Sequence, residues 1–483
     1  MPKQYYPYWF RGEKGLKTGS IVGNGHGQWS IDYGPFQTIF AIQTISYNKG
    51  RPQPSTTKNI VKQLSMRNAS TWWIIAAIML LLDLYVFQAL KTVTQGASDR
   101  TRTIIHVTYW VVSGLTLAAL LLFPYIYALQ TSKLFRNYVF AILVGLFFAK
   151  LLGVVFFLTD DLRRGSLFLL SKVLPDVGAR FLSEGNSIPR STFLSWLGLG
   201  LGGSLFGTLM YGFSNKYNYQ VKKIRLAFDN LPKAFDGFKI VQISDIHSGS
   251  FQNKKAVSLG VDKILQQKPD LILFTGDLVN DRADEMTDYM DVFNRVKAPM
   301  GVYSSLGNHD YGDYVSWPSP QAKIENLENL KKVHAKLGWR LLMNEHVLLN
   351  KNNEQIALLG IENWGAKGRF PKYGKMHEAY PGTENIPFKI LLSHDPSHWD
   401  AEVKPKYSDV DLMLAGHTHG MQFGLENPYF KWSPVQWMYK QWAGLYEDGK
   451  QKLYVNRGYG FIGYPGRVGI LPEITVIELV ISS

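Results

Sequence analysis

Two periodicities divide this chain. Apolar residues run almost unbroken through 72–90 ("WWIIAAIMLLLDLYVFQAL"), 104–129, 138–158 and 192–213. Each run has the length of a helix crossing a hydrocarbon core. Four of them close together predict transmembrane helices rather than buried helices of a soluble core. From about 235 the pattern changes to short apolar runs alternating with helical stretches. "FKIVQISDIH", "PDLILFTGDLVN", "MGVYSSLGNHD", "FKILLSHDP" and "VDLMLAGHTHG" read as buried strands. "KKAVSLGVDKILQQK" places Val257, Val261, Ile264 and Leu265 on one helical face. Strand–helix alternation predicts an α/β domain with a mostly buried sheet.

The pattern therefore divides the chain into an N-terminal extension (1–65), a four-span membrane region (66–213), a linker (214–234) and a catalytic domain (235–483). Residues 1–65 hold eight basic and two acidic residues with no sustained periodicity. They read as a disordered tail, or as an untranslated stretch preceding a true start at Met66 ("MRNASTWW"). Trp72, Trp73, Tyr109, Trp110, Tyr125 and Tyr127 lie near span ends, where an aromatic belt would put them. In the fourth span, Gly198 with Gly202 and Gly203 with Gly207 have small-xxx-small spacing. Asp83 and Lys150 are charges inside spans one and three, which run in the same direction. Counted from Trp72 and Tyr138 they sit at similar depth, so an ion pair between them is expected, the alternative being that each faces a water-filled gap or snorkels.

Charge and cysteine usage narrow the classes of function. The formal charge is +14, but residues 1–213 carry +12 of it and residues 214–483 only +2. A nearly neutral second half is not the footprint of a nucleic-acid binder. The basic excess flanks apolar segments, and the flanking Lys/Arg counts on the two sides are too even to set the orientation. With no cysteine, any metal must be held by N and O ligands.

The five strands all finish on Asp, His or Asn. Any one such ending is better read as a solvated turn, but five in succession are not. In open α/β sheets ligands gather beyond the carboxyl ends of the strands. Two carboxylates, one amide and four imidazoles there make a ligand set for two divalent ions, which would activate water and clamp a phosphoryl group.

"DIH", "GDLVN", "GNHD", "SHD" and "GHTHG", in that order, resemble the calcineurin-like metallophosphoesterases. The ending "VNRGYGFIGYPGRVGILPEITVIEL" is similar to that of the membrane-associated bacterial branch. The likeness covers roughly 235–483. It implies two packed mixed β-sheets flanked by helices. It implies one ion on Asp245, His247, Asp277 and His419, and a second on Asp277, Asn308, His394 and His417, with Asp277 bridging. Mn, Fe and Zn all suit such a site. His309 is implied as proton donor or stabiliser of transition-state charge, oriented by Asp310.

Two features stay open between a functional and a structural reading. Arg467 stands where the family often has an arginine, and is either a phosphate contact or a structural residue. The stretch 427–446, with Trp432, Trp437, Tyr439 and Trp442, is either a covering loop or an apolar lip that meets acyl chains or membrane lipids. The branch includes enzymes similar to UDP-2,3-diacylglucosamine diphosphatases. These imply a lipid-linked phosphate or diphosphate ester as substrate, and a catalytic domain on the cytoplasmic face of the inner membrane. The alternatives are a broad-specificity or cyclic-nucleotide phosphodiesterase anchored by its spans, an inactive regulatory protein, and a transporter with an appended domain.

Overall fold

The computed structural model describes residues 54–126, 129, 135–174, 190–368 and 370–482. The expected N-terminal extension lies outside them as far as residue 53. From Pro54 the chain is already helical, in α1 (Pro54–Val93). Three more long helices follow: α2 (Asp99–Leu122), α3 (Phe140–Val173) and α4 (Thr192–Asn215). All four contain a segment long and apolar enough to cross a membrane.

Their bounds depart from the apolar runs for local reasons. α2 begins at Asp99 because the Ser98 side chain caps it, accepting from the Thr101 amide. It stops at Leu122, just before Pro124, which cannot continue a helix. α3 runs on through "TDDLRRGS" because Arg163 and Arg164 pair back onto Asp160 (2.8 Å) and Asp161 (2.9 Å). Arg190 reaches Asp161 (2.9 Å), and the Ser191 amide donates to Asp160 (2.9 Å), fastening the start of α4 to the end of α3.

Inside the bundle, Lys150 Nζ lies 2.5 Å from Asp83 Oδ1, as the depth count expected. Tyr109 Oη (3.0 Å) and Ser113 Oγ (2.7 Å) donate to the same carboxylate oxygen. Tyr109 is thus a partner of the ion pair rather than a belt residue, because α2 starts a full turn before the apolar run does. Of the two glycine pairs, only the first makes a helix contact. A Cβ at Gly198 would meet Phe157 and the Gly153 carbonyl, and one at Gly202 the Ala149 carbonyl. A Cβ at Gly203 or Gly207 would meet nothing of a neighbouring helix within 4 Å among the described residues.

After α4 come fourteen strands: β1 (Gln220–Phe228), β2 (Phe238–Ile243), β3 (Leu271–Thr275), β4 (Val302–Ser305), β5 (Arg340–Leu341), β6 (Glu345–Lys351), β7 (Glu354–Gly360), β8 (Lys389–Leu392), β9 (Leu412–Ala415), β10 (Leu425–Glu426), β11 (Lys431–Trp432), β12 (Gly444–Asp448), β13 (Gln451–Val455) and β14 (Glu473–Ile481). They form two six-stranded sheets, ordered β1-β14-β2-β3-β4-β5 and β12-β13-β9-β8-β7-β6, and a small β10-β11 hairpin. Both large sheets are mixed. β14 runs antiparallel to β2, and β6–β7 and β12–β13 are antiparallel pairs in otherwise parallel neighbourhoods. The stretch 214–234 is not a plain linker, since β1 lies inside it and pairs in parallel with β14.

The sheets face each other across Phe238, Ile240, Leu271 and Leu273 on one side and Leu358, Ile390, Leu392 and Leu414 on the other. On the outer face of the first sheet, helix α5 (Lys254–Gln266) buries Val257, Val261 and Ile264 against Val241, Ile243 and Phe274. Trp399, Val403 and Met376 cover the second sheet. Strands enclosed on both faces need continuous apolar sequence, which is why they read as unbroken runs.

The domain is fastened to the membrane helices by the loop before β14. The Arg467 amide donates to the Gly212 carbonyl at 2.9 Å, Tyr464 Oη donates to the Leu209 carbonyl, and the Tyr464 ring lies 5.6 Å from that of Phe213.

Candidate metal centre

Five strand ends deliver the side chains expected from the sequence. β2 ends two residues before Asp245, β3 two before Asp277, β4 three before Asn308, β8 two before His394 and β9 two before His417. Three come from one sheet and two from the other, so the site straddles the same edge of both layers. Asp245 (φ 53°), His247 (48°), Asp277 (60°), His417 (70°) and His419 (49°) all take left-handed backbone. Non-glycine residues pay for that conformation, and such strain clusters where side chains must be re-aimed at a site. The "GD" turn needs its glycine: Gly276 has φ 90°, and a Cβ there would strike the Gly307 backbone.

The ligand-type atoms gather in two buried groups. Asp245, His247 and His419 form one, and Asp277, His394 and His417 the other. In the first, His419 Nε2 is 3.2 Å from Asp245 Oδ1 and 3.1 Å from His247 Nε2. In the second, Asn308 Oδ1 lies 2.8 Å from His417 Nδ1. Asp277 Oδ2 sits between the groups, 3.1 Å from His394 Nε2 and 3.5 Å from His247 Nε2.

The chemistry of these contacts fits cations. His394 Nδ1 is 2.6 Å from the Thr275 carbonyl and must carry hydrogen to donate there. In the neutral ring, Nε2 then aims a lone pair at a carboxylate oxygen. The Nε2 atoms of His247 and His419 face each other at 3.1 Å, and one can donate to the other when it carries the hydrogen. A divalent ion would relieve the His394–Asp277 contact, and both groups offer N and O donors of the kind Mn, Fe and Zn accept.

Burial opposes ionisation of Asp245 and Asp277. The imidazoles outweigh it, His419 for Asp245 and His394 for Asp277, and hold both carboxyls well below their usual range. Burial holds His247, His309 and His417 below the usual histidine range, so these rings stay neutral and able to ligate. His394 differs: burial lowers it, but the Asp277 carboxylate pulls it up to about 10, and a cation must displace that proton.

The outer nitrogens reveal partners that motif reading missed. His417 Nε2 meets Tyr439 Oη (2.9 Å), which donates to Asp395 Oδ2 (3.2 Å). Tyr439 therefore supports a ligand-type histidine and is not a lip residue. His309 Nδ1 donates to the Asn280 carbonyl (2.8 Å), and its ring lies 4.5 Å from that of Tyr314, tilted against it. Asp310 does not orient His309. Its carboxylate accepts from the amides of Asp277 (2.9 Å), Leu278 (2.8 Å), Val279 (3.3 Å) and Gly307 (2.9 Å). That arrangement folds the "GD" turn against the "GNHD" turn.

The residues assigned to substrate scatter. Arg467 is wholly buried behind His419. Its guanidinium donates to the carbonyls of Arg457 (2.7 Å), Gly458 (3.3 Å) and Gly460, and Nη2 lies 3.2 Å from His419 Nδ1. It cannot meet a phosphate there. Trp442, 3% exposed, packs with Ile470 and Val435. Trp432 is half-buried, and Trp437 is 75% exposed with its ring 6.2 Å from that of Trp432.

Residues 238–421 match the family described as calcineurin-like phosphoesterase. Residues 66–216 match one described as probable calcineurin-like phosphoesterase, transmembrane domain. The uncharacterized metallophosphoesterase YkuE of Bacillus subtilis is 30% identical over 259 residues, covering 52% of this chain and 81% of that protein. The phosphodiesterase YaeI of Escherichia coli is 30% identical over 268 residues, 54% of this chain and 88% of its own length. A transmembrane protein with metallophosphoesterase domain from Danio rerio is 28% identical over 269 residues, covering 54% and 57%.

Proposed function

Because this chain belongs to the calcineurin-like metallophosphoesterase family, we propose that it is a membrane-anchored hydrolase of phosphate or diphosphate esters with a two-ion centre. One ion is assigned to Asp245, His247, Asp277 and His419, the other to Asp277, Asn308, His394 and His417. The observation that carries this reading is Asp277 Oδ2, within 3.5 Å of a histidine nitrogen from each group. Two divalent ions supply an acidified water and charge neutralisation for in-line displacement at phosphorus.

The chain's own residues do the rest. Asp277 holds the two halves of the site in register. Asp310, gripping four amides, fixes the turn that presents it. His309, anchored through Nδ1, keeps Nε2 for the departing oxygen; the neutral ring first takes up a proton at Nε2, from the attacking water or from solvent, and then gives it to that oxygen. Asn280 sets that ring's direction through its carbonyl.

The substrate proposed is an ester borne on a lipid, reached from the cytoplasmic face of the inner membrane. Its support is the anchoring of the catalytic domain on the last turns of α4 and its near-neutral charge. The test is hydrolysis by purified full-length protein of UDP-diacylglucosamine, aryl phosphodiesters and cyclic nucleotides, with metal analysis alongside. Preference for the lipid ester supports the reading. Preference for a cyclic nucleotide replaces it with an anchored phosphodiesterase. No hydrolysis with both ions bound refutes catalysis.

A further inference from the structure

Eleven large apolar side chains are exposed among the described residues after α4, and six of them fall between 421 and 438: Met421, Leu425, Tyr429, Phe430, Trp437 and Met438. Tyr429, at the tip of the β10-β11 hairpin, is 98% exposed. Clustered exposed apolar surface marks a contact rather than chance. Backbone hydrogen bonds tie this cluster to the membrane helices. The Val468 amide donates to the Gln422 carbonyl (2.8 Å), and the Gly424 amide to the Val468 carbonyl (2.9 Å). The same loop bonds Gly212 through Arg467 and Leu209 through Tyr464. Leu209 lies six residues before the end of α4, so the loop contacts the span about 9 Å inside its terminus. The hairpin is therefore tied to the last turns of a helix long and apolar enough to span the membrane.

We propose that residues 421–438 form a bilayer-inserting hairpin, which seats the domain's apolar cluster in the interfacial layer of the membrane that holds the four spans. Aromatic and aliphatic side chains on one short element suit that layer. Lys440, exposed just beyond the stretch, supplies positive charge toward anionic headgroups, whereas Lys431 turns inward to the Ala443 carbonyl. The hairpin follows His417 and His419 directly in sequence. On the phosphoesterase reading above, on which this consequence rests, insertion sets the metal centre beside the ester head of a lipid.

The chain has no cysteine, so single labels are clean. Tyr429→Cys, Phe430→Cys and, as a control elsewhere on the domain, Ile324→Cys would carry an environment-sensitive fluorophore. The labelled full-length protein would sit in vesicles of phosphatidylcholine and phosphatidylglycerol. Lipids with a shallow nitroxide should quench the 429 and 430 labels about threefold more than the 324 label, and aqueous iodide should quench them less. Equal quenching at all three sites overturns the proposal. So does shielding from iodide without quenching by lipid, which would mean that a second copy of the chain covers the cluster. The readout needs no turnover, so failure of insertion and failure of the phosphoesterase reading are separate results.

Discussion

The Arg467 backbone amide donates to the carbonyl of Gly212, in the last turn of the fourth span, at 2.9 Å, while its guanidinium stands 3.2 Å from His419 Nδ1. One residue therefore touches both a membrane helix and a side chain of the metal centre. A larger residue at 212 would drive into Tyr464 and Val468. Gly212→Leu is expected to leave the spans inserted but to weaken metal retention about tenfold, a change of about 1.4 kcal/mol, read by metal analysis after dialysis. Metal content equal to wild type would mean that the loop yields without disturbing His419.

Asp277 and His309 should separate binding from turnover. Asp277→Ala removes the oxygen shared by both groups and is expected to lose both ions and all measurable hydrolysis. His309→Ala should keep the ions and lose about 10²- to 10⁴-fold in rate. An Asp277→Ala protein with full metal content would overturn the assignment of the bridge.

The Asp83–Lys150 pair lies buried in the bundle. Reversing one charge strands two like charges and is expected to cost about 3–5 kcal/mol, seen as a lower unfolding midpoint in detergent. Reversing both should recover most of that loss. A double reversal less stable than either single change would show that the two residues do not act as a pair.

His334 makes part of the acid sensitivity of the domain predictable. It lies on α6 (Pro320–Leu337), fully buried, with Nδ1 3.0 Å from Ser304 Oγ and the rings of Phe274 and Trp339 nearby. Burial pushes its pKa down to about 3. The unfolded chain, with an ordinary histidine pKa near 6.5, binds the proton that the folded state refuses. This contribution is therefore whole above about pH 6.5 and is lost as the pH falls toward 3, by up to about 4 kcal/mol. His334→Leu should flatten the fall in stability across that window. An unchanged slope would assign the acid response to other groups.

Much of the site could be read in one dimension because each ligand follows its strand within four residues, so sequence order alone announces the cluster. The Asp83–Lys150 contact was equally legible, since counting along two parallel spans fixes relative depth. What escaped depends on contacts between distant segments. That Asn280, not Asp310, holds His309 follows from how two turns cross. That Tyr439 backs His417, and that Arg467 is sealed behind His419, follow from packing no local pattern encodes. β1 does carry a local signal: Ile224, Leu226 and Phe228 alternate with Arg225 and Ala227, a period of two inside the expected linker.

The pairing of β1 with β14 has a consequence for biosynthesis. β1 leaves the ribosome first of all the strands, only a few residues behind the fourth span, yet its sheet neighbour is the last to be made. β2 waits on that same final strand. The first sheet therefore stays open along this seam until translation has passed residue 481, and its apolar edges must be kept from mispairing at the membrane surface in the meantime. A nascent chain stalled before Glu473 should accordingly be protease-sensitive throughout the domain, while its membrane helices are already in place.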